Sequence, residues 1–227
     1  MTLIERWTAL FGVDGDADAP AAGAGAVRAA GLDLIARYEE PHRHYHTLQH
    51  LTEVLDVVDE LAAEADDLDA VRLAAWFHDA VYESGADHAR DGVSNEEASA
   101  RLAGLVLAEL GEPAARVAEV ARLVRLTQEH RAQDDDRNAA VLFDADLAIL
   151  AAEPARYEQY ARAVREEYRE IADELFRVGR AQILEALLSA PGLYRTAAAH
   201  SRLESRARAN VTAEIGRLLA VSEAGTR

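Results

Sequence analysis

The sequence predicts an all-α fold, and the spacing of its apolar residues carries this prediction. Over about 48–65 these residues recur at the spacing of an amphipathic helix with one buried face, at Leu48, Leu51, Val54, Leu55, Val58 and Leu61. No stretch combines sustained two-residue alternation with enrichment in β-branched residues, so the sequence predicts no sheet. We therefore expect a multi-helix bundle.

Proline and glycine are sparse and cluster where the helical pattern is interrupted, which places the predicted helix ends. Glycine-rich 12–25, polar 83–93 and charged 133–137 are expected to be loops, and Ser94 with Glu97 forms a predicted capping box. The predicted helices span about 2–11, 26–40, 48–65, 68–82, 94–111, 113–130, 138–152, 155–188 and 197–221.

The segment at about 68–82 is apolar almost all round, and we expect it at the centre of the bundle. The chain has 227 residues, which suits a single domain. We expect a core at about 28–152 and a C-terminal helical extension at about 153–222 in one body.

The composition narrows the classes of function. The chain lacks cysteine, so disulfides, thiolate metal sites and cysteine nucleophiles are excluded. Its net charge of −17 argues against an extended surface for nucleic acid, although a bound cation could still attract a small phosphate. No apolar run is long enough to span a membrane, and the first residues do not resemble a secretory signal, so the expected location is the cytoplasm.

Residues that commonly bind metals occur within three apolar segments. His46 and His50 lie at the start of the 48–65 helix, and the adjacent pair His78-Asp79 lies in the most apolar run. An ionised carboxylate buried there needs compensation, for which a divalent cation is a natural candidate. The third segment contains Asp144 and Asp146, which point roughly 200° apart on a helix, so only one of them can face a shared site.

Each of these residues also has an ordinary structural explanation. A single histidine on an apolar face is usually a hydrogen-bonded core residue, and Asp79 could pair with a buried arginine such as Arg72 or Arg122. Asp144 or Asp146 could be a surface acid. Glu96 and Glu97 could serve only the helix N-terminus, or Glu96 could lie at the rim of the site. The metal hypothesis rests on finding all three segments together in one chain.

The order His50, then His78-Asp79, then an acid in Asp-Ala-Asp-Leu resembles the H…HD…D signature of the HD superfamily. The signature covers about 100 residues, and four strings resemble a bacterial group of predicted HD phosphohydrolases: YHTLQHL, FHDAVY, NEEASA and FDADLAIL. Three later strings resemble the C-terminal half of that group: YARAVREEY, GRAQIL and ESRARANVTAEI. The resemblance implies an HD-domain-like bundle.

The resemblance also implies roles for individual residues. The first string resembles the YHN…H segment of cyclic-nucleotide phosphodiesterases, which implies His46 as a general acid and His50 as a metal ligand. The phosphodiesterase Ala-Asp-Leu motif favours Asp146 over Asp144 as the last ligand. Asn95 stands where two-metal members of the superfamily carry a further histidine.

The resulting hypothesis is a metal-dependent phosphohydrolase that acts on a small phosphoester, with a nucleotide as the expected substrate. Its metal would be Mn, Ni, Co, Fe, Zn or Mg, held by His50, His78, Asp79 and either Asp146 or Asp144. Catalysis would use the metal together with His46, Asp79 and His130. The substrate would contact Arg43, Arg165 and Tyr168.

Two other functions fit the same residues. One is a di-iron oxygenase, and the other is a non-catalytic nucleotide-binding sensor module. The sequence leaves open the identity of the substrate and of the metal, whether one ion or two are bound, and the oligomeric state.

Overall fold

A computed structural model describes residues 1–13, 21–84 and 92–224, and within these ranges it is all-helical, as predicted. Ten α-helices follow one another without a strand in the described part of the chain. They are α1 (Leu3–Ala9), α2 (Ala21–Tyr38), α3 (Leu48–Glu60), α4 (Leu68–Phe77), α5 (Asn95–Glu109), α6 (Ala114–Leu126), α7 (Arg137–Asp146), α8 (Pro154–Glu167), α9 (Asp173–Ser189) and α10 (Ala197–Ala224).

Helix α4 lies at the centre of the bundle, as its all-round apolar sequence predicts. Every residue from Leu73 to Phe77 is buried, and α4 contacts α3, α5, α6 and α7. The indole of Trp7 on α1 packs edge-on against Trp76 and Phe77, with ring centroids 5.3 and 6.0 Å away. The buried helix α4 therefore fixes the position of His78 and Asp79, which follow Phe77.

Two predicted helices end earlier than expected, and both ends lie near chemically interesting residues. The helix predicted for 68–82 stops at Phe77, and a turn carries His78 and Asp79. The helix predicted for 155–188 is divided into α8 and α9 by residues 168–172. At this break the Arg165 guanidinium donates hydrogen bonds to the carbonyls of Tyr168 and Ile171, two acceptors that lie between the helices.

The remaining boundaries differ less from the prediction. Helix α2 begins at Ala21, inside the glycine-rich stretch that we expected to be a loop. Short 3₁₀ turns at Ala62–Glu64 and Leu147–Ala151 replace the predicted ends of two α-helices. The predicted loops at 12–25 and 83–93 lie partly outside the described residues. Among the described helices, none has both the length and the apolar character needed to cross a membrane.

Candidate metal centre

The turn after α4 presents His78 with one ring nitrogen already fixed. His78 is the C-cap of α4 and is 1% exposed. Its Nδ1–H donates to the carbonyl oxygen of Ala75 at 2.8 Å, so the lone pair of Nε2 points away from the helix. A backbone hydrogen bond of this kind sets the tautomer and ring orientation of histidines that bind metals.

Four donor atoms from three parts of the chain meet at His78. The Nε2 atom of His78 lies 3.1 Å from Nε2 of His50, on the first turn of α3, and 3.0 Å from Oδ2 of Asp79. At the end of α7, Oδ1 of Asp146 lies 3.3 Å from His50 Nε2 and 3.6 Å from His78 Nε2. The distance between His50 Nε2 and Asp79 Oδ2 is 3.4 Å. The sequence-predicted ligands His50, His78, Asp79 and Asp146 therefore form one cluster.

These separations fit a divalent metal ion. Ligands bonded to a cation at about 2.0–2.2 Å are spaced roughly 3.0–3.5 Å apart in tetrahedral or octahedral arrangements. His50, His78 and Asp146 each offer a ligand atom, and these atoms lie within 4.8 Å of one another. A set of imidazole and carboxylate donors suits Zn, Mn, Fe, Co or Ni. The cluster is compatible with a metal ion, whose identity the donors leave open.

The electrostatics of the cluster favour positive charge between the two carboxylates. Burial opposes ionisation of Asp79 and Asp146, but histidine contacts outweigh it and hold the pKa of each carboxyl well below its usual range. The main contact is with His78 for Asp79 and with His130 for Asp146. Burial likewise opposes protonation of the two histidines, yet the carboxylates raise the pKa of both. The cluster thus stabilises cationic charge, which a proton or a metal ion can supply.

His130 contacts Asp146 rather than the other donor atoms. Its Nε2–H donates to Oδ2 of Asp146 at 2.9 Å, which leaves Oδ1 of that carboxylate facing His50. His130 has a left-handed backbone (φ 49°), and its carbonyl accepts a hydrogen bond from Arg195 at 3.0 Å. This arrangement lets His130 orient the carboxylate, as outer-shell partners of metal ligands do.

Asp144 does not reach the cluster, which settles the alternative between the two acids of α7. Its carboxylate is fully buried and accepts the backbone N–H groups of Arg195 and Thr196 at 2.7 and 2.8 Å. Burial raises the pKa of Asp144, against these hydrogen bonds. Our inclusion of Asp144 among candidate metal ligands was wrong, because its side chain anchors the segment that leads into α10.

His46 forms a hydrogen-bonded pair with a buried carboxylate that our sequence analysis did not identify. Its Nδ1 lies 2.7 Å from Oε2 of Glu167, which also accepts the hydroxyl of Tyr82 at 3.1 Å. The other oxygen of Glu167 accepts the backbone N–H groups of residues 44–46 at 2.7–3.0 Å. Burial disfavours the ionised form, but these bonds outweigh it and hold the pKa of Glu167 at about 2.

The position of Glu167 could have been found from helical spacing. The buried residues of α8 are Tyr157, Tyr160, Val164 and Glu167, which lie on one face at intervals of three, four and three. The neighbouring Glu166 is exposed and pairs with Arg169. The ring of His46 lies 5.6 Å from that of His50, so the His46–Glu167 pair adjoins the metal-ligand cluster.

Both arginines predicted to contact the substrate are bound to other groups of the protein. The buried guanidinium of Arg43 donates to Glu40 and to the carbonyls of His46, Asp79 and Ala80. Arg43 thereby ties the His46 segment to the turn that carries Asp79.

Arg165 binds Asp173 and the carbonyls at the break after α8, and its guanidinium also lies over the ring of Phe176. We therefore correct both arginine assignments to structural roles. Tyr168, the third predicted contact, lines a cavity together with His46.

The structural alternatives considered for the acids are resolved by their contacts. Arg72 pairs with Asp59 and Asp69. Arg122 pairs with Glu119 and Asp136, so neither arginine compensates Asp79. The Ser94 hydroxyl caps α5 by accepting the N–H of Glu97, whose carboxylate binds Arg101 and Arg125.

Asn95, at the position where a second-metal histidine was considered, hydrogen-bonds both backbone groups of Glu83.

No family model, curated protein or solved structure matches the chain. The resemblance to HD proteins therefore remains an interpretation of the sequence motifs.

Proposed function

We propose that this protein is a metal-dependent phosphohydrolase of the HD type that acts on a small phosphoester such as a nucleotide. The observation that carries the proposal is the convergence of His50, His78, Asp79 and Asp146 within 3.0–3.6 Å contacts, next to the His46–Glu167 pair. Such a site combines groups that could hold a cation with a group that can transfer a proton.

The mechanism follows from these residues. When bound, a divalent ion supplies Lewis-acid polarisation of a phosphoryl oxygen and activation of water. Asp79, whose side chain is 17% exposed, takes the proton of the attacking water as the oxygen–phosphorus bond forms. The bond from phosphorus to the leaving oxygen breaks, and that oxygen receives the proton of His46 Nε2.

Glu167 positions the proton donor. Because its carboxylate accepts Nδ1–H of His46, it holds the ring in the tautomer and orientation that direct Nε2 away from Glu167. The stack of His46 on Tyr82, with ring centroids 4.1 Å apart, restricts the same ring from another side. His130 acts one step further out, by orienting Asp146.

The test is a hydrolysis screen with purified protein, in which Mn, Ni, Co, Fe, Zn and Mg are added in turn to nucleotides and generic phosphoesters. We expect metal-dependent release of phosphate, and loss of at least 100-fold in turnover for His78→Ala and Asp79→Ala. His44→Ala, which removes an exposed histidine of the same segment, is the matched control and should retain wild-type turnover.

Other outcomes identify the competing functions. Wild-type turnover in both site variants would refute the assigned centre. Oxygen consumption by iron-loaded protein without phosphate release would indicate an oxygenase, and tight nucleotide binding without hydrolysis would indicate a sensor module.

A further inference from the structure

A cavity of about 340 Å³ opens beside His46, and most of its other lining residues lie on α8, on α9 or between these two helices. Its walls are mainly aromatic and aliphatic, and they include Tyr45, Tyr160, Tyr168, Phe176 and Ile183. The volume lies within the range of small-molecule pockets. His46 therefore adjoins both an apolar cavity, which it lines, and the candidate ligand cluster, where its ring lies 5.6 Å from that of His50.

The charges around the cavity argue against an anionic occupant. Arg180 is the only arginine among its described lining residues, and its guanidinium is already engaged by Glu214 and by the hydroxyl of Tyr160. The buried Glu214 carboxylate neutralises this cation within the protein. A second phosphate group placed in the cavity would find no uncommitted arginine.

Helix α9 leaves an apolar rim exposed at the same cavity. Leu175, Gly179 and Ile183 are spaced four residues apart and all line it, yet Leu175 is 69% and Ile183 is 59% exposed. Exposed aliphatic side chains gain about 25 cal/mol for each Å² of apolar surface that a ligand removes from water. An apolar ligand would cover this rim, whereas a sugar would leave its hydroxyls against aliphatic carbon.

One polar group of the cavity lacks a partner. The hydroxyl of Tyr45 is buried and makes no hydrogen bond within the described structure, although Tyr45 lines the cavity. A buried hydroxyl without a partner costs roughly 1–3 kcal/mol. Because this oxygen has almost no accessible surface, Tyr45 presents its ring rather than its hydroxyl to the cavity, which adds to the apolar lining.

We propose that this cavity receives the leaving group of the substrate, and that the leaving group is an uncharged alcohol bearing an aromatic ring. The inference rests on the proposed phosphohydrolase function. Water adds its oxygen to phosphorus and gives a proton to Asp79, the phosphorus–oxygen bond of the ester breaks, and the proton of His46 Nε2 passes to the leaving oxygen. The products are inorganic phosphate and a neutral aromatic alcohol in the cavity.

The first experiment compares benzyl phosphate with glucose 6-phosphate. Both esters release primary alcohols, so their intrinsic reactivities are similar and the comparison reports mainly on recognition of the leaving group. We expect kcat/KM to be at least tenfold higher for benzyl phosphate. Equal values, or a preference for the sugar phosphate, would overturn the assignment.

A variant that fills the cavity tests whether the preference for an aromatic leaving group arises in this cavity. A Cβ at Gly179 meets no atom within 4 Å, so Gly179→Leu places its side chain at the cavity without a backbone clash. Gly104→Leu is the matched control, because Gly104 is also helical and equally open but lies on α5, away from the cavity lining. The ratio of kcat/KM for benzyl phosphate to that for methyl phosphate should fall about tenfold in Gly179→Leu and stay at the wild-type value in Gly104→Leu.

Binding of 2-naphthylmethanol, measured by equilibrium dialysis, separates the failure of this inference from that of the proposed function. Hydrolysis without aromatic preference and without binding of this alcohol would overturn the inference and leave the phosphohydrolase proposal standing. If no metal supports hydrolysis of any ester while the alcohol still binds wild type more tightly than Gly179→Leu, the proposed function is wrong. The assignment to a leaving group then falls with it.

Discussion

Glu167 illustrates how a single carboxylate can organise the candidate site. Its two oxygens accept three backbone N–H groups, the ring of His46 and the hydroxyl of Tyr82. These donors connect the segment before α3, the turn after α4 and the end of α8. The same residue thus contributes to stability and orients the proposed proton donor.

The low pKa of Glu167 predicts how stability depends on pH. Because its pKa is about 2 in the folded chain and about 4.3 in unfolded chains, its contribution is present above pH 4.3 and is lost as the pH falls towards 2. The contribution is on the order of 3 kcal/mol. Urea unfolding from pH 7 to pH 3 should show a shallower loss of stability for Glu167→Gln than for wild type. The exposed Glu166→Gln should follow wild type, and parallel profiles for all three proteins would contradict the assignment.

The sequence predicted all four residues of the cluster, with Asp144 as the alternative to Asp146, because ionisable side chains within apolar runs are recognisable in a sequence. His50, His78 and Asp79 stand out as polar residues within apolar runs. Helical geometry alone predicted that Asp144 and Asp146 face different ways. Which of the two lies in the cluster could not be predicted, because Asp144 is held by the backbone N–H groups of Arg195 and Thr196, which are distant in sequence. The hydrogen bonds of Arg43 and Arg165 could not be predicted either, since most of their acceptors are backbone carbonyls, which every residue carries.

At the scale of the helix, apolar periodicity predicted which segments are helical better than it predicted where each helix ends. Helix α3 was predicted from its regular apolar spacing, and α4 from its continuous apolar run. The break between α8 and α9 was missed because residues 168–172 contain neither proline nor glycine. At that break Arg165 binds carbonyls beyond its own helix, an interaction that apolar periodicity does not predict.

The packing of α1 on α2 gives a test of a single helix contact. A Cβ at Gly31 would overlap the indole of Trp7 and the side chain of Ile4. Gly31→Ala should therefore destabilise the protein by about 1–3 kcal/mol, despite the better helix propensity of alanine. Gly25→Ala lies on the same helix with open space around its Cβ and should be neutral or stabilising by up to about 1 kcal/mol. Equal effects in urea unfolding would show that α1 does not pack on Gly31.

At the scale of the whole molecule, the candidate centre joins elements that are distant in sequence. Its donor atoms come from α3, from the turn after α4 and from the end of α7. A ligand that binds only when these elements are assembled stabilises the folded state by mass action. Metal binding should therefore appear as a change in global stability.

This coupling predicts a thermal shift. A metal present at about 100 times its Kd adds about 2.7 kcal/mol, which corresponds to roughly 5–10 °C in Tm for a chain of this length. Differential scanning fluorimetry should show the shift for wild type and for the control His44→Ala, and should show none for His78→Ala. The shift should diminish as the pH falls, since protons compete with the metal for the imidazole ligands. Because the carboxylates raise the pKa of His50 and His78, the decrease should begin above the ordinary imidazole value of about 6.5. A shift that persists in His78→Ala would indicate binding elsewhere.

The central claim is tested most directly by the metal content of two variants that differ by two positions on α7. Wild type, Asp144→Asn and Asp146→Asn would each be loaded with the metal that gives the largest thermal shift, dialysed and analysed by inductively coupled plasma mass spectrometry. We predict at least one ion per chain for wild type and Asp144→Asn, and loss of that ion in Asp146→Asn. Retention of metal by Asp146→Asn, or a wild-type protein that binds none, would contradict the account.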